Sequence, residues 1–447
     1  MPRKTIIIFI TVFVLVGAIM LGGYLYFNKG KGAGAGATSN NGYLPFLGGG
    51  TTPNQNSGSE GTDENIVDTT NITNTEYAPI TPTENRFHQI TDFSVAGAVF
   101  FEDTRPLPIT ESALTGGEQL PPEVITPTKT TTKTKATKIE PPKVEIVPAI
   151  RYVERVTGHI NQMYLDTKTI GKVSNGTIPS IHEALFDGSA SSVLYRYLSS
   201  DGKTINSFLA TLGGAKGEFL PADILDVSIS PDKTKFFYLT KTFSGVTGSI
   251  RSFKDTKKTQ VFNSSLTEWL SQWATSQNVY LTTKASASIE GSLFSLNTTN
   301  GVMSKLFGGV KGLTTLANKD GSLVLYSATV NGGPRLGVLD VKNHSVKGLE
   351  LYSLPEKCVW GAGNTFVYCA IPREIIGGQF PDSWYQGLVS FNDYFVKINP
   401  FTGEISTIAD SNYQTPVDAT HLFLNKTEDQ LFFINKKDST LWSLDLL

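Results

Sequence analysis

The sequence is short of the features that would mark most enzymes or nucleic-acid binders. Lys and Arg total 38 against 40 Asp and Glu, so the formal net charge is −2 and no basic face is available to neutralise a row of phosphates. No nucleic-acid partner is therefore expected. No G-x-S-x-G elbow, H-E-x-x-H helix, G-x-x-x-x-G-K-[ST] loop or D-x-D-x-D-G loop is present, so the residues predict no catalytic, cofactor-binding or metal site. The five histidines (His88, His159, His182, His344, His421) are widely spaced and read as surface or structural residues. Asp166, Asp232, Asp320 and Asp340 stand where hairpin turns favour Asp. Beyond residue 85 no segment keeps an i, i+3, i+4 apolar stripe for three turns, which excludes the helical repeat folds.

One long uncharged run is present. Thr5 to Phe27 holds no Asp, Glu, Lys or Arg and follows Arg3 and Lys4. At the rise of a helix it reaches roughly 34 Å, enough for a bilayer core and longer than the apolar region of a cleaved signal peptide. A membrane helix over 5–27 is expected, with residues 1–4 cytoplasmic and the remainder extracytoplasmic. Residues 28–84 are Gly, Thr, Asn and Ser with little to bury, and read as a disordered linker. Such a tether has a root-mean-square span of roughly 40 Å.

The rest of the chain carries a repeat. Short strands centred on Tyr152, Tyr195, Tyr238, Tyr280, Tyr326, Tyr368 and Phe433 recur at spacings of 43, 43, 42, 46, 42 and 65 residues. Five of the six fit the period of a four-stranded propeller blade. Each anchor has a strand and turn before it, and most have an alternating strand and a second hairpin after it. The expected fold is all-β: a seven-bladed β-propeller over 85–447, with Asn85 to Asp92 (Phe87, Ile90) supplying the strand that the last blade lacks and so hiding two sheet edges.

Two insertions interrupt the period. The Pro/Thr/Lys-rich stretch 104–148 reads as an excursion from the first hairpin of blade one. Residues 373–389 lengthen blade six between its second and third strands, and long loops in compact folds are often functional. Arg373, Phe380, Asp382, Trp384 and Tyr385 are its candidate partner-binding residues. The alternative is that Trp384 and Tyr385 only plug the side of the blade. Cys358 and Cys369 flank a turn at Gly361 to Thr365 and fall opposite each other; they either form a disulfide, which suits an extracytoplasmic address, or stay reduced as small core residues.

Ser230-Pro231-Asp232, a small turn and then an apolar strand through Tyr238 resembles the TolB-type, WD-like propeller repeat. Asn318-Lys319-Asp320-Gly321 through Tyr326 is a looser copy, and the other blades keep the aromatic but not the turn. The resemblance covers roughly 150 to 447. It implies a protein-interaction scaffold and carries no catalytic residue. Together these readings predict a membrane-tethered binding module of the cell envelope with a protein or glycan partner. The alternative is a glycan-active or quinone-cofactor propeller enzyme with its site at the central channel.

Overall fold

The computed structural model describes residues 72–74, 86–107, 144–214, 217–410 and 416–446. The run at 5–27, most of 28–84 and most of the first insertion lie outside the described residues; among those described, no helix is long and apolar enough to cross a membrane.

Seven four-stranded antiparallel sheets make up the blades of a propeller. Their inner strands are Val95–Pro106, Ile181–Phe186, Ile224–Ile229, Trp269–Trp273, Thr314–Ala317, Cys358–Trp360 and Ala419–Leu424. Blade seven is completed from the other end of the chain: Phe87–Gln89 pairs antiparallel with Leu441–Asp445 as the outermost strand. The inner strand of blade seven lies against that of blade one, which closes the ring.

Burial falls from the axis outward. The second strand of each blade is covered on both faces by neighbouring blades, so it reads as a continuous apolar run: Ser192–Leu198 is buried over its first five residues, whereas the outer strand Ile170–Ser174 is almost wholly exposed. This is why the repeat shows in the second strand. Six of the seven anchors are buried and Tyr326 is partly buried, each buried ring contributing roughly 1.5–3 kcal/mol of transfer free energy. Seven apolar clusters fill the seven blade-to-blade interfaces. The anchors do not all face one way, however. Tyr195 packs toward blade one, while Tyr280 packs toward blade five and donates to Gly321 O at 2.9 Å. In a strand, a one-residue offset sends a side chain to the opposite face.

The turn between the first two strands is shared more widely than its sequence. Residues 187–190, 230–233, 318–321, 361–364 and 425–428 each close with a backbone bond from the fourth residue to the first. The fourth residue always has positive φ, yet it is Ala190, Lys233, Gly321, Asn364 or Glu428. Side chains hold the turn: Ser230 Oγ accepts from Lys235 N at 2.9 Å, Asn318 Oδ1 from Leu323 N at 3.1 Å and Asp187 Oδ1 from Ser192 N at 2.8 Å. Different polar residues perform the same task, so the motif is visible only where Ser-Pro-Asp supplies it.

Two boundaries differ from the sequence reading. The first hairpin of blade one continues as a ladder to Pro106↔Val144, so part of the stretch read as an excursion is strand. It projects with little apolar burial and is held by polar pairs: Arg105 binds Glu145 at 2.9 Å and Asp166 at 2.6 Å, and lies 5.2 Å from the Tyr164 ring centroid. Composition misled because pairing here depends on charge rather than apolar area. Within the segment read as linker, Ile72–Thr73 pair with Glu374–Ile375 of the second insertion. Asn74 fixes that contact, donating to Pro372 O at 2.6 Å and Tyr352 O at 3.0 Å and accepting from Tyr352 N at 2.7 Å.

Candidate functional site: the channel mouth and the blade-six insertion

The second-to-third-strand loops and the blade-to-blade connections share one face of the propeller, here the upper face. The blade-six insertion lies on it. Phe380, Trp384 and Phe391 are almost fully buried and form a small core of their own with Leu354 and Ile375. Trp384 stacks on Phe391 at 6.3 Å and 16°. A one-turn helix, α1 (Asp382–Tyr385), carries the Trp-Tyr pair. Asp382 Oδ2 accepts from Ala287 N of blade four at 2.7 Å, and Thr329 of blade five donates to Phe380 O at 2.8 Å. Tyr385 donates to Glu356, and Arg373 forms an ion pair with Asp410. Burial raises the Tyr385 hydroxyl well above its ordinary value. Phe380 and Trp384 therefore face inward, Tyr385 is partly buried, and the outward apolar side chains of the insertion are Ile376 and Leu388.

Beneath the insertion lies a fully buried ion cluster. Lys357 Nζ donates to Asp393 Oδ2 at 2.7 Å, Asp418 Oδ1 at 2.6 Å and Ala419 O at 3.0 Å. Asp418 also accepts from Trp384 Nε1 at 3.1 Å, Ser390 Oγ at 3.1 Å and Phe391 N at 3.0 Å. Burial pushes the Asp393 carboxyl up to about 7. For Asp418 burial acts in the same sense, but Lys357 and the surrounding donors outweigh it and hold the group low. Cys358, next to Lys357, pairs across the ladder with Cys369 at a Cα separation of 4.1 Å, and the two are joined as a disulfide.

At the upper mouth of the channel, charged groups from several blades converge. The inner strands of blades one, two, three and seven each contain a β-bulge near their upper ends, at Ala96, His182, Leu225 and His421–Leu422. Bulges re-aim side chains, and His421 has positive φ. The inner strand of blade one contributes only small residues at this level, Ala96, Gly97 and Ala98, while Arg155 comes from the loop after its second strand. A Cβ on Gly97 would lie 2.0 Å from Ala184 O, so glycine there permits the close approach of blades one and two. Over this gap the charges of Arg155, His182, Glu183 and His421 act on one another.

Glu183 is held by Arg196 Nη1 at 2.7 Å, while Arg196 Nη2 donates to Ile224 O and Leu225 O, both at 3.1 Å. Burial opposes the Glu183 carboxylate, but Arg196 and the nearby groups keep its pKa low. Burial depresses His182 to about 4 and lifts Asp226, which accepts from Ser271 N at 2.6 Å, to about 6. Arg155 Nε is buried and has no hydrogen-bond partner among the described residues. The mouth thus holds neutral imidazole, an ionised carboxylate, a second carboxylate of raised pKa and a guanidinium with a donor to spare. Sequence reading missed this set because its members are spread from residue 155 to 421 and depend on bulges that no local pattern announces.

No family model matches the chain, and no curated protein does. Among solved structures it is similar to TolB from Acinetobacter baumannii (13% identity, TM-score 0.39, 56% of this chain and 59% of that one). It is also similar to oligogalacturonate lyase from Vibrio parahaemolyticus (8% identity, TM-score 0.46, 67% and 94%) and to hydrazine synthase from Kuenenia stuttgartiensis (8% identity, TM-score 0.47, 66% and 92%). None of these likenesses transfers a ligand or an activity, and the propeller assignment rests on the chain's own seven sheets.

Proposed function

We propose that this protein is a membrane-tethered, extracytoplasmic propeller that binds a partner in the cell envelope through its upper face. The carrying observation is the channel mouth, where Arg155 has an unspent donor and His182 and Asp226 sit away from their ordinary pKa values. Phe243, Leu266 and Ile289 are exposed on loops of the same face, with Leu388 on the insertion. Apolar side chains around a desolvated charged centre suit a protein partner. All five tryptophans are buried, which leaves no indole platform for stacking a sugar and favours protein over glycan. The apolar run at 5–27 and the disulfide support the tethered, oxidising address.

The test is crosslinking capture from envelope membranes with the full chain carrying Arg155→Gln, Phe243→Ser or Leu388→Ser, and Phe401→Ser on the opposite face as control. Partner capture should fall at least tenfold in the first three and persist in the control; equal capture by all four would refute the reading. A second reading, a glycan-active enzyme, is favoured by one observation: Glu183 and Asp226 share the mouth with their acidities pushed apart. It requires that Asp226→Asn or Glu183→Gln abolish turnover of an envelope glycan by the wild-type chain.

A further inference from the structure

Below the charged mouth, the channel holds a cavity of about 310 Å³ between the inner strands of blades one, two and three. Val99, Leu185 and Ile229 supply apolar wall, one from each blade, and Lys233, the last residue of the blade-three turn, borders it at the lower face. We propose that this cavity binds a small monocarboxylate with an apolar body, the carboxylate on Lys233 Nζ and the body against the walls of the three blades.

Lys233 is the unusual member of its set. The corresponding residue of the other four turns is Ala190, Gly321, Asn364 or Glu428, and all five take positive φ, 53° for Lys233. Glycine fills such a left-handed position freely and a lysine does not, and backbone strain held by the surrounding structure collects at ligand sites. Its main chain is fixed on both sides. Lys233 N donates to Ser230 O at 2.7 Å, Gly188 N of blade two donates to Lys233 O at 3.0 Å, and a Cβ on Gly188 would lie 3.3 Å from Lys233 Cβ. The ammonium, by contrast, makes no hydrogen bond or ion pair among the described residues.

The carboxylates of its own turn and of the blade-five turn are already committed. Asp232 accepts from Ser230 Oγ at 2.6 Å, Thr234 Oγ1 at 2.9 Å and Thr234 N at 3.1 Å. Asp320 accepts from Ser322 N and Asn364 Nδ2, both at 2.9 Å. These bonds, led by those from the Ser230 and Ser322 hydroxyls, hold both carboxyls below their ordinary range. Lys233 is open to the channel but ringed by protein, and that enclosure, with the charge of Lys319, lowers its ammonium from the ordinary value. An entering carboxylate supplies both the acceptor and the counter-charge that Lys233 lacks. A single ammonium matches a single carboxylate, and apolar walls suit the rest of the ligand. Taking the ~30 Å³ share of one water for each heavy atom, the cavity accommodates about ten, the size of phenylacetate.

Fluorine NMR of 4-fluorophenylacetate, titrated with the full chain in nanodiscs and with empty nanodiscs as the blank, tests this. The resonance should broaden and shift with saturable dependence on protein concentration. The neutral isostere 4-fluorophenylacetamide and the bodiless fluoroacetate should each bind about tenfold more weakly or worse, tenfold being the loss of one charge-assisted contact. Lys233→Gln should weaken binding to the same degree. Lys233→Gly removes the same ammonium while easing the backbone, so it should lose binding with no loss of thermal stability, which separates the charge from the fold. Lys319→Gln, a charge that acts from a second turn, should cost only about twofold. A wild-type chain that leaves the resonance unchanged overturns the proposal. So does an amide that binds as tightly as the acid, or binding that survives both Lys233 substitutions.

Discussion

His182 and Asp226 are perturbed by the same cause, burial at the channel mouth, with opposite consequences for stability. His182 falls from 6.5 to about 4, so between those values the unfolded chain holds a proton that the folded one does not, and stability rises with pH. Asp226 rises from 3.8 to about 6, so over almost the same window the folded chain holds the extra proton and stability falls as pH rises. Each effect is worth on the order of 2–3 kcal/mol across its window. In the wild type they oppose each other, with Asp393, raised to about 7, acting in the same sense as Asp226. Compared with wild type, urea denaturation between pH 4 and 6 should therefore show the pH slope of stability shifted downward in His182→Gln and upward in Asp226→Asn. Parallel profiles in the two variants would mean that the groups are not desolvated in the folded state.

At the scale of elements, the blade-six hairpin joins Lys357, the disulfide and the insertion. Cys358 and Cys369 are both buried and lie 11 residues apart in sequence. In the chain-entropy view a loop of that size is stabilised by about 3 kcal/mol when closed. Cys358→Ala with Cys369→Ala should lower the unfolding free energy by about 2–4 kcal/mol, measured by urea titration beside the oxidised wild type, and neither thiol of the reduced native chain should react with a thiol reagent before unfolding. Second strands such as Val367–Pro372 were legible in the sequence because burial on both faces makes them continuous apolar runs. The insertion was legible as a break in the period. The inward orientation of Trp384 was not, since an indole that contacts a partner and one that donates to a buried Asp418 look the same until residues 384 and 418 are brought together. The channel mouth was hidden for a related reason: His182 and His421 occupy bulges, and a bulge changes which way a side chain points without changing the apolar pattern around it.

For the whole molecule, the closing contact is made by a strand distant in sequence from the sheet it completes. Phe87–Gln89 covers the edge of Leu441–Asp445, with Phe87 packed on Phe395 at 5.6 Å. Arg86 donates to Asp445 O at 2.8 Å and to Ile408 O of blade six at 2.6 Å, while Thr91 Oγ1 accepts from Leu441 N at 3.0 Å. Removing residues 1–90 uncovers the backbone groups of Leu441–Asp445, and an unpaired edge is a template for another chain. The shortened propeller should associate as its concentration rises, seen by light scattering after gel filtration, and should melt several degrees lower. A synthetic peptide spanning residues 84–92 should reverse the association with saturable dependence on its concentration and recover part of the melting temperature, the rest being lost with the Asn74 contacts to Tyr352 and Pro372. Phe87→Ala in the full chain separates packing from edge coverage. It deletes the ring but keeps the ladder, so it should cost about 2 kcal/mol without association, whereas His88→Ala, which removes only a half-exposed contact with Asp445, should fall within about 0.5 kcal/mol of wild type. A shortened chain that stays monomeric with an unchanged melting temperature would show that the ring holds through its blade interfaces alone.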